Sequence, residues 1–297
     1  PTGMTFRPPR VAGDTLWVMV RGRWEGTVYF DASGRELGRR GEHEGWFNLL
    51  FELHGSLLAG DAGKAVLAVS AGSYAILLLT GVVLWWPRRW PPSFRVATGA
   101  GGLRLALDLH KLAGTLTGLA ILVPVASGAY MAWSPLRDLA TLLAGEQASR
   151  APPVRQPHQP GPRASLDALV SAARSRFPQA MVGYVQVPAQ PDQPVRVRMK
   201  LPDEPHPNGL SSVWLHPRSG EVLKVARWDA LDAGSRLVNV VYPLHTGALG
   251  GTPHLALNAA AGVLLAGLGG TGLWLWCRRR SMRRPASAPA ASSGQAA

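Results

Sequence analysis

Three stretches of this chain, residues 64–86, 112–133 and 255–277, are apolar, carry no formal charge in their interiors and are long enough to cross a bilayer. About 20 helical residues span a hydrocarbon core, and in lipid each stretch must satisfy its own backbone, which makes helices the solution. The first and third finish in "LWWPRR" and "LWLWCRRR". Tryptophans followed by arginines read as an interfacial belt with a cytoplasmic flank. The connection 87–111 is then a basic cytoplasmic loop, and the span 112–133 runs back out. Residues 134–254 form a second external region, the span 255–277 re-enters, and residues 278–297 form a disordered cytoplasmic tail. Residues 1–62 lie outside as well. An external N-terminal region needs an upstream segment to carry it across. Because Pro1 opens the chain without a basic or apolar leader, this topology implies a signal peptide or a further membrane helix upstream.

Composition agrees with spans joined to polar regions, since 46% of residues are hydrophobic and only 16% charged. The net charge of +13 is not a nucleic-acid footprint. Many of its cations cluster instead as Arg88, Arg89, Arg95, Arg104 and Lys111, and as Arg278, Arg279, Arg280, Arg283 and Arg284, each group abutting an apolar run. The lipid bilayer is therefore the partner they fit, and nucleic acid is excluded. The single cysteine, Cys277, rules out an intrachain disulfide or a cysteine-based metal cluster, so metal chemistry would fall to histidines or carboxylates. No nucleophilic triad, P-loop or HExxH motif is visible, and no paired carboxylates sit in the spans.

The external regions read as small α+β units. "TLWVMVRGRWEGTVYFDASGREL" alternates polar and apolar residues and turns at Ser33-Gly34. "PVRVRMKLP" and "SSVWLHPRSGEVLKV" do the same, with a turn at Ser219-Gly220. "SLDALVSAARSRFP", with Ser165 as N-cap and Asp167 in the first turn, reads as an amphipathic helix. Residues 150–164, rich in Pro, Gln and Arg, form a linker.

An internal repeat carries the functional signal. Without a gap, "LHGSLLAGDAGKAVLAVSAGSYAILLLTGVVLWWPRR" aligns with "LHTGALGGTPHLALNAAAGVLLAGLGGTGLWLWCRRR". The alignment matches His54 with His245, Gly60 with Gly251, Thr80-Gly81 with Thr271-Gly272 and Trp85 with Trp276. The external units repeat too, "VYFDASGREL" against "VWLHPRSGEVL". A single straight helix from His54 to Thr80 would reach about 39 Å at 1.5 Å per residue. That exceeds a core of about 30 Å, so both histidines lie at the outer boundary on short bent segments. Related by the repeat, they can face each other. Two neutral imidazoles opposed across an apolar gap are what a six-coordinate haem iron requires. His110, in "LDLHKLAG" at the cytoplasmic end of the second span, would need a mate from elsewhere. His43, His158, His206 and His216 read as solvated, His254 as the polar start of a span, and the Thr-Gly pairs as helix-packing devices.

The segments just quoted, with "LDLHKLAGTLTGLAIL" and "SGAYMAW", resemble the PepSY-associated transmembrane helix family, and the strand units resemble PepSY domains. The resemblance implies a mainly α-helical membrane protein, with three transmembrane helices in this chain plus small α+β PepSY-like periplasmic regions. Residues 1–62 would supply strands and an amphipathic helix. It also implies a multi-pass protein of the bacterial inner membrane. Members typically have four core helices, of which the first is not seen here. Some relatives are haem proteins that reduce periplasmic ferric siderophores. By that resemblance His54, His245 and His110 would be axial ligands of one or two b-type haems. The partners would be a cytoplasmic or quinol electron donor and a ferric siderophore or other ferric chelate. A membrane-anchored PepSY binding module without redox activity, or an anchor for a flavoprotein reductase, are the other functions this pattern accommodates.

Overall fold

The computed structural model describes residues 3–87, 95–154, 162–190 and 193–282. Arg88, Arg89, His158, Arg283, Arg284, the tail 285–297 and the middle of the linker lie outside the described residues. The chain forms two compact units, one of residues 1–72 with 124–255, the other of residues 73–123 with 256–297. Three helices, Gly60–Trp85, Gly102–Ala132 and Gly251–Met282, are long and apolar enough to cross a membrane. The chain is a membrane protein, mainly helical, with an antiparallel sheet.

In the first unit the two strand-bearing regions, expected from the sequence as separate units, build one sheet rather than two. The strands are β1 (Gly3–Arg7), β2 (Leu16–Arg21), β3 (Gly26–Phe30), β4 (Glu36–Gly41), β5 (Met181–Val187), β6 (Val195–Lys200), β7 (Ser211–Leu215) and β8 (Val222–Ala226). Their spatial order is β4-β3-β2-β1-β5-β6-β7-β8. Each half is a four-strand meander, and β1 joins β5 antiparallel through Met4↔Val187, Thr5↔Gln186 and Phe6↔Val185. Alternation in β5, β6 and β7 sends Val185, Val197, Met199 and Val213 to one face, where they form the core with Leu169 and Ala173 of the helix Leu166–Arg176. Ser165 caps that helix as its sequence predicts, its hydroxyl accepting from Ala168 N at 3.2 Å. The hairpins also turn where expected, with Gly34 at φ 81° and Gly220 at φ 72° supplying the left-handed residue.

After each meander comes a short helix and then a membrane helix. We number the helices in chain order as α1 (Trp46–Ser56), α2 (Gly60–Trp85), α3 (Gly102–Ala132), α4 (Ser134–Leu143), α5 (Leu166–Arg176), α6 (Ala233–Thr246) and α7 (Gly251–Met282). Between α1 and α2 the chain breaks sharply, with Leu57 at φ 52° and Leu58 at φ 58°. Two successive left-handed leucines cost about 1–2 kcal/mol each, so packing around them must hold them there. Gly63 supplies part of it, because a Cβ at that position would overlap the Ser56 carbonyl. The first turn of α2 thus sits against the end of α1. The α6 to α7 break uses Gly247 at φ 78°.

The N-terminus of α6 is tied to α4. Asp232 caps it by accepting from Ser235 N at 3.0 Å, and also accepts from Thr141 of α4 at 2.9 Å. A Cβ on Gly234 would strike the Arg137 carbonyl of α4, and Arg236 pairs with Glu146 at 2.7 Å. These contacts set the axis along which α6 carries His245. In the second unit, α3 lies between α2 and α7. Tyr74 donates to the Gly118 carbonyl at 3.0 Å, and Gly118 admits Leu78 to close contact. Helix α3 starts well ahead of the apolar run that marks it in the sequence, so Asp108, His110 and Lys111 are helical.

Candidate functional site

His54 lies in the last turn of α1 and His245 in the last turn of α6. The repeat therefore puts each imidazole at a helix C-terminus immediately before a sharp break. The structure brings the two rings together, with centroids 5.8 Å apart and planes inclined at 38°. Two helix C-termini converge on the pair, and their carbonyl ends favour positive charge there.

The tautomer of His245 follows from its partners. Its Nδ1 lies 3.0 Å from the Pro124 carbonyl, which can only accept, so Nδ1 carries the proton and donates. Ser127 Oγ donates to the same carbonyl at 3.1 Å and lies 3.1 Å from Nδ1. The lone pair is then on Nε2. Burial lowers the pKa of His245 below the ordinary histidine value and the neighbouring His54 adds to this, against the opposing pull of the Pro124 carbonyl, which shifts the balance toward the neutral ring. Gly128 completes the seat, since a Cβ there would come within 2.9 Å of His245 Cε1. Pro124, Ser127 and Gly128 all belong to α3, and none was legible in the sequence as a partner of His245. The only signal was a proline inside a membrane span, which marks a perturbed stretch of helix.

His110 is held elsewhere, against α7. Its Nδ1 is 3.0 Å from Thr271 Oγ1. That hydroxyl donates to the Gly267 carbonyl at 2.7 Å, so its oxygen accepts the His110 proton. Gly272 makes room, with a Cβ there 3.2 Å from His110 Cε1. The second Thr-Gly pair therefore does more than pack helices: it orients a histidine. Thr80, by contrast, bonds back to Ile76 and Leu77 of its own helix.

Two histidines read from the sequence as solvated are in fact buried. His206 is 5% exposed and stacks on Tyr242 at 4.4 Å. It sits in a polar network where Asn239 accepts from His206 N at 2.9 Å and Glu204 accepts from Ser211 Oγ at 3.1 Å. Burial, with Arg198, Lys200 and Arg10 nearby, pushes its pKa down to about 4. His216 is 8% exposed. It occupies the position that Asp31 holds in the other half of the repeat, and both side chains accept from the backbone of their turn. The alignment of "VYFDASG" with "VWLHPRSG" contained that equivalence. His43 is exposed and bonds Glu52 at 2.7 Å.

No curated protein matches the chain. A family model described as the PepSY-associated TM region matches residues 2–279, nearly the whole of it. With three membrane-length helices and a repeated strand-and-helix unit, the chain belongs to the PepSY-associated transmembrane family.

Proposed function

We propose that this protein is a haem-binding electron-transfer protein of the bacterial inner membrane, passing electrons from a quinol or cytoplasmic donor to a ferric siderophore or other ferric chelate in the periplasm. The observation that carries this reading is the opposed pair His54 and His245, with ring centroids 5.8 Å apart. Two imidazoles sharing one metal ion have centroids about 6 Å apart, at about 2 Å for each metal–nitrogen bond and about 1 Å from nitrogen to ring centre. The pair fits that span. A bis-histidine haem, when bound, supplies one-electron chemistry with little ligand rearrangement.

Each protein group has a definable part. His54 and His245 would hold the iron. The Pro124 carbonyl and Ser127 hydroxyl fix the His245 tautomer with its lone pair on Nε2, the outer-shell arrangement usual for ligating histidines. The C-termini of α1 and α6 favour the more positively charged oxidised state. Thr271 fixes His110 in the same tautomer, leaving its Nε2 as the acceptor of a metal bond. Each ferric ion reduced takes one electron.

The test is an absorption spectrum of the purified full-length protein. Reduced-minus-oxidised haem bands are expected, with one set lost in His245→Ala. A colourless, metal-free preparation would overturn the reading.

A further inference from the structure

Two short helices of the sheet-bearing unit, α1 and α4, reverse the usual distribution of polar and apolar faces. Helix α5 shows the usual one, with Leu169 and Ala173 buried in the core and Asp167 and Arg174 exposed. In α1 the protein holds the polar side chains instead. Asn48, Glu52 and Ser56 recur every four residues and share one face. Asn48 Nδ2 donates to the Gly41 and Glu42 carbonyls at 3.1 and 2.9 Å, and Glu52 meets His43 at 2.7 Å. The remaining arc carries Trp46, Phe47, Leu50 and Phe51, and no residue of α1 is buried. Trp46, Phe47 and Phe51 are 78%, 82% and 77% exposed. Helix α4 repeats the pattern: Thr141 is buried and bonds Asp232 and Gly234 N, whereas Leu139, Leu142 and Leu143 are exposed.

Apolar faces of this kind are unfavourable in water and mark a contact surface. Their place in the chain says which contact. Helix α1 ends at Ser56 and the membrane helix α2 begins at Gly60, while α4 begins at Ser134, directly after the membrane helix α3 ends at Ala132. Because α2 and α3 are consecutive membrane helices, the start of α2 and the end of α3 lie on the same side of the bilayer. The exposed apolar surface of α1 also runs on without interruption, through Leu57 and Leu58 to Val66 of α2, where lipid is the neighbour. Trp46 opens α1 and Trp133 stands at the junction of α3 with α4. Tryptophan is enriched at membrane–water boundaries. Between residues 46 and 58 the only formal charge is Glu52, and there is no lysine or arginine to seek an anionic headgroup.

We propose that α1 and α4 lie in the membrane–water interface where α2 enters the bilayer and α3 leaves it, with their apolar faces against lipid and their polar faces on the protein. Interfacial helices bury such a face about 5–10 Å into the boundary between headgroups and acyl chains. The contact is hydrophobic, so neutral phospholipid serves as well as anionic. Since α1 carries His54 in its last turn, lipid forms part of the support that places this histidine opposite His245. The surface itself does not depend on what the histidines hold.

The experiment uses the full-length protein in phosphatidylcholine nanodiscs, with Cys277→Ser removing the native thiol. Phe47→Cys, Phe51→Cys and Leu142→Cys each receive a thiol-linked fluorophore, and Ser171→Cys on α5, an exposed position, is the aqueous reference. Brominated phosphatidylcholine should quench the first three severalfold more strongly than the reference, and aqueous iodide severalfold less. Adding phosphatidylglycerol should change neither result. Iodide quenching at the α1 and α4 positions equal to that at Ser171→Cys would overturn the proposal. Protection from both quenchers would overturn it too, assigning the faces to protein, or to haem if labelling also shifts the haem bands. The quenching is read equally well in preparations with and without haem bands, so its outcome is separate from that of the reductase reading.

Discussion

The imidazoles of His54 and His245 face each other with ring centroids 5.8 Å apart, although nearly two hundred residues separate them in the chain. If the pair shares one metal ion, the two histidines are one functional unit. His54→Ala and His245→Ala should each abolish the same set of reduced-minus-oxidised haem bands, and the double variant should lose no more than either alone. Haem content per protein, measured beside the spectrum, checks this. Separate, additive partial losses would contradict it.

Gly128→Ala tests the seat of His245. The new methyl would stand 2.9 Å from His245 Cε1 and push the ring off the Pro124 carbonyl. Overpacking of this kind costs about 1–3 kcal/mol, and the expected readout is a shifted or depleted haem spectrum. Gly114→Ala serves as the control, because its methyl would meet Leu268 at an ordinary 3.9 Å.

Thr271→Val removes the acceptor for the His110 proton while keeping the side chain's shape. Loss of such an outer-shell partner typically weakens metal affinity about 10- to 100-fold. The second set of haem bands should weaken accordingly and recover in Thr271→Ser, which restores the hydroxyl.

Stability of the sheet-bearing unit should depend on pH through His206, whose folded pKa lies at about 4. The unfolded chain binds a proton on this ring at about pH 6.5. As pH falls below that value the unfolded state therefore gains protons first, and stability declines until the folded state also titrates near pH 4. The full loss is about 3 kcal/mol. Arg198, Lys200 and Arg10 lie nearby, and Asn208 N donates to the ring at 3.1 Å, so these neighbours favour its neutral form. The thermal midpoint of the wild type should fall between pH 6.5 and 4, and that of His206→Gln should fall less.

Much of this architecture was legible in the residues. The apolar runs, the Trp-Arg ends and the gapless match of "LHGSLLAG" to "LHTGALGG" locate the membrane helices and pair His54 with His245. What stayed hidden depends on partners far apart in sequence. Strand β1 is only five residues long and an irregularity at Gly183 interrupts β5, and only their pairing turns two small units into one eight-stranded sheet. Pro124, Ser127 and Gly128 are unremarkable inside an apolar run until α6 brings His245 against them. His206 looked solvated because it sits among prolines and acids, a local composition that says nothing of the Asn239 and Tyr242 that cover it.

The seam between β1 and β5 also dictates an order of assembly. Three register pairs, Met4↔Val187, Thr5↔Gln186 and Phe6↔Val185, join the half-sheet that precedes His54 to the one that precedes His245. Closing so long a loop is slow compared with forming either meander. The histidine pair cannot exist until α6, which lies beyond two membrane-length helices and strand β5, has been made. The pair therefore forms only in a chain whose two intervening membrane-length helices have already been made.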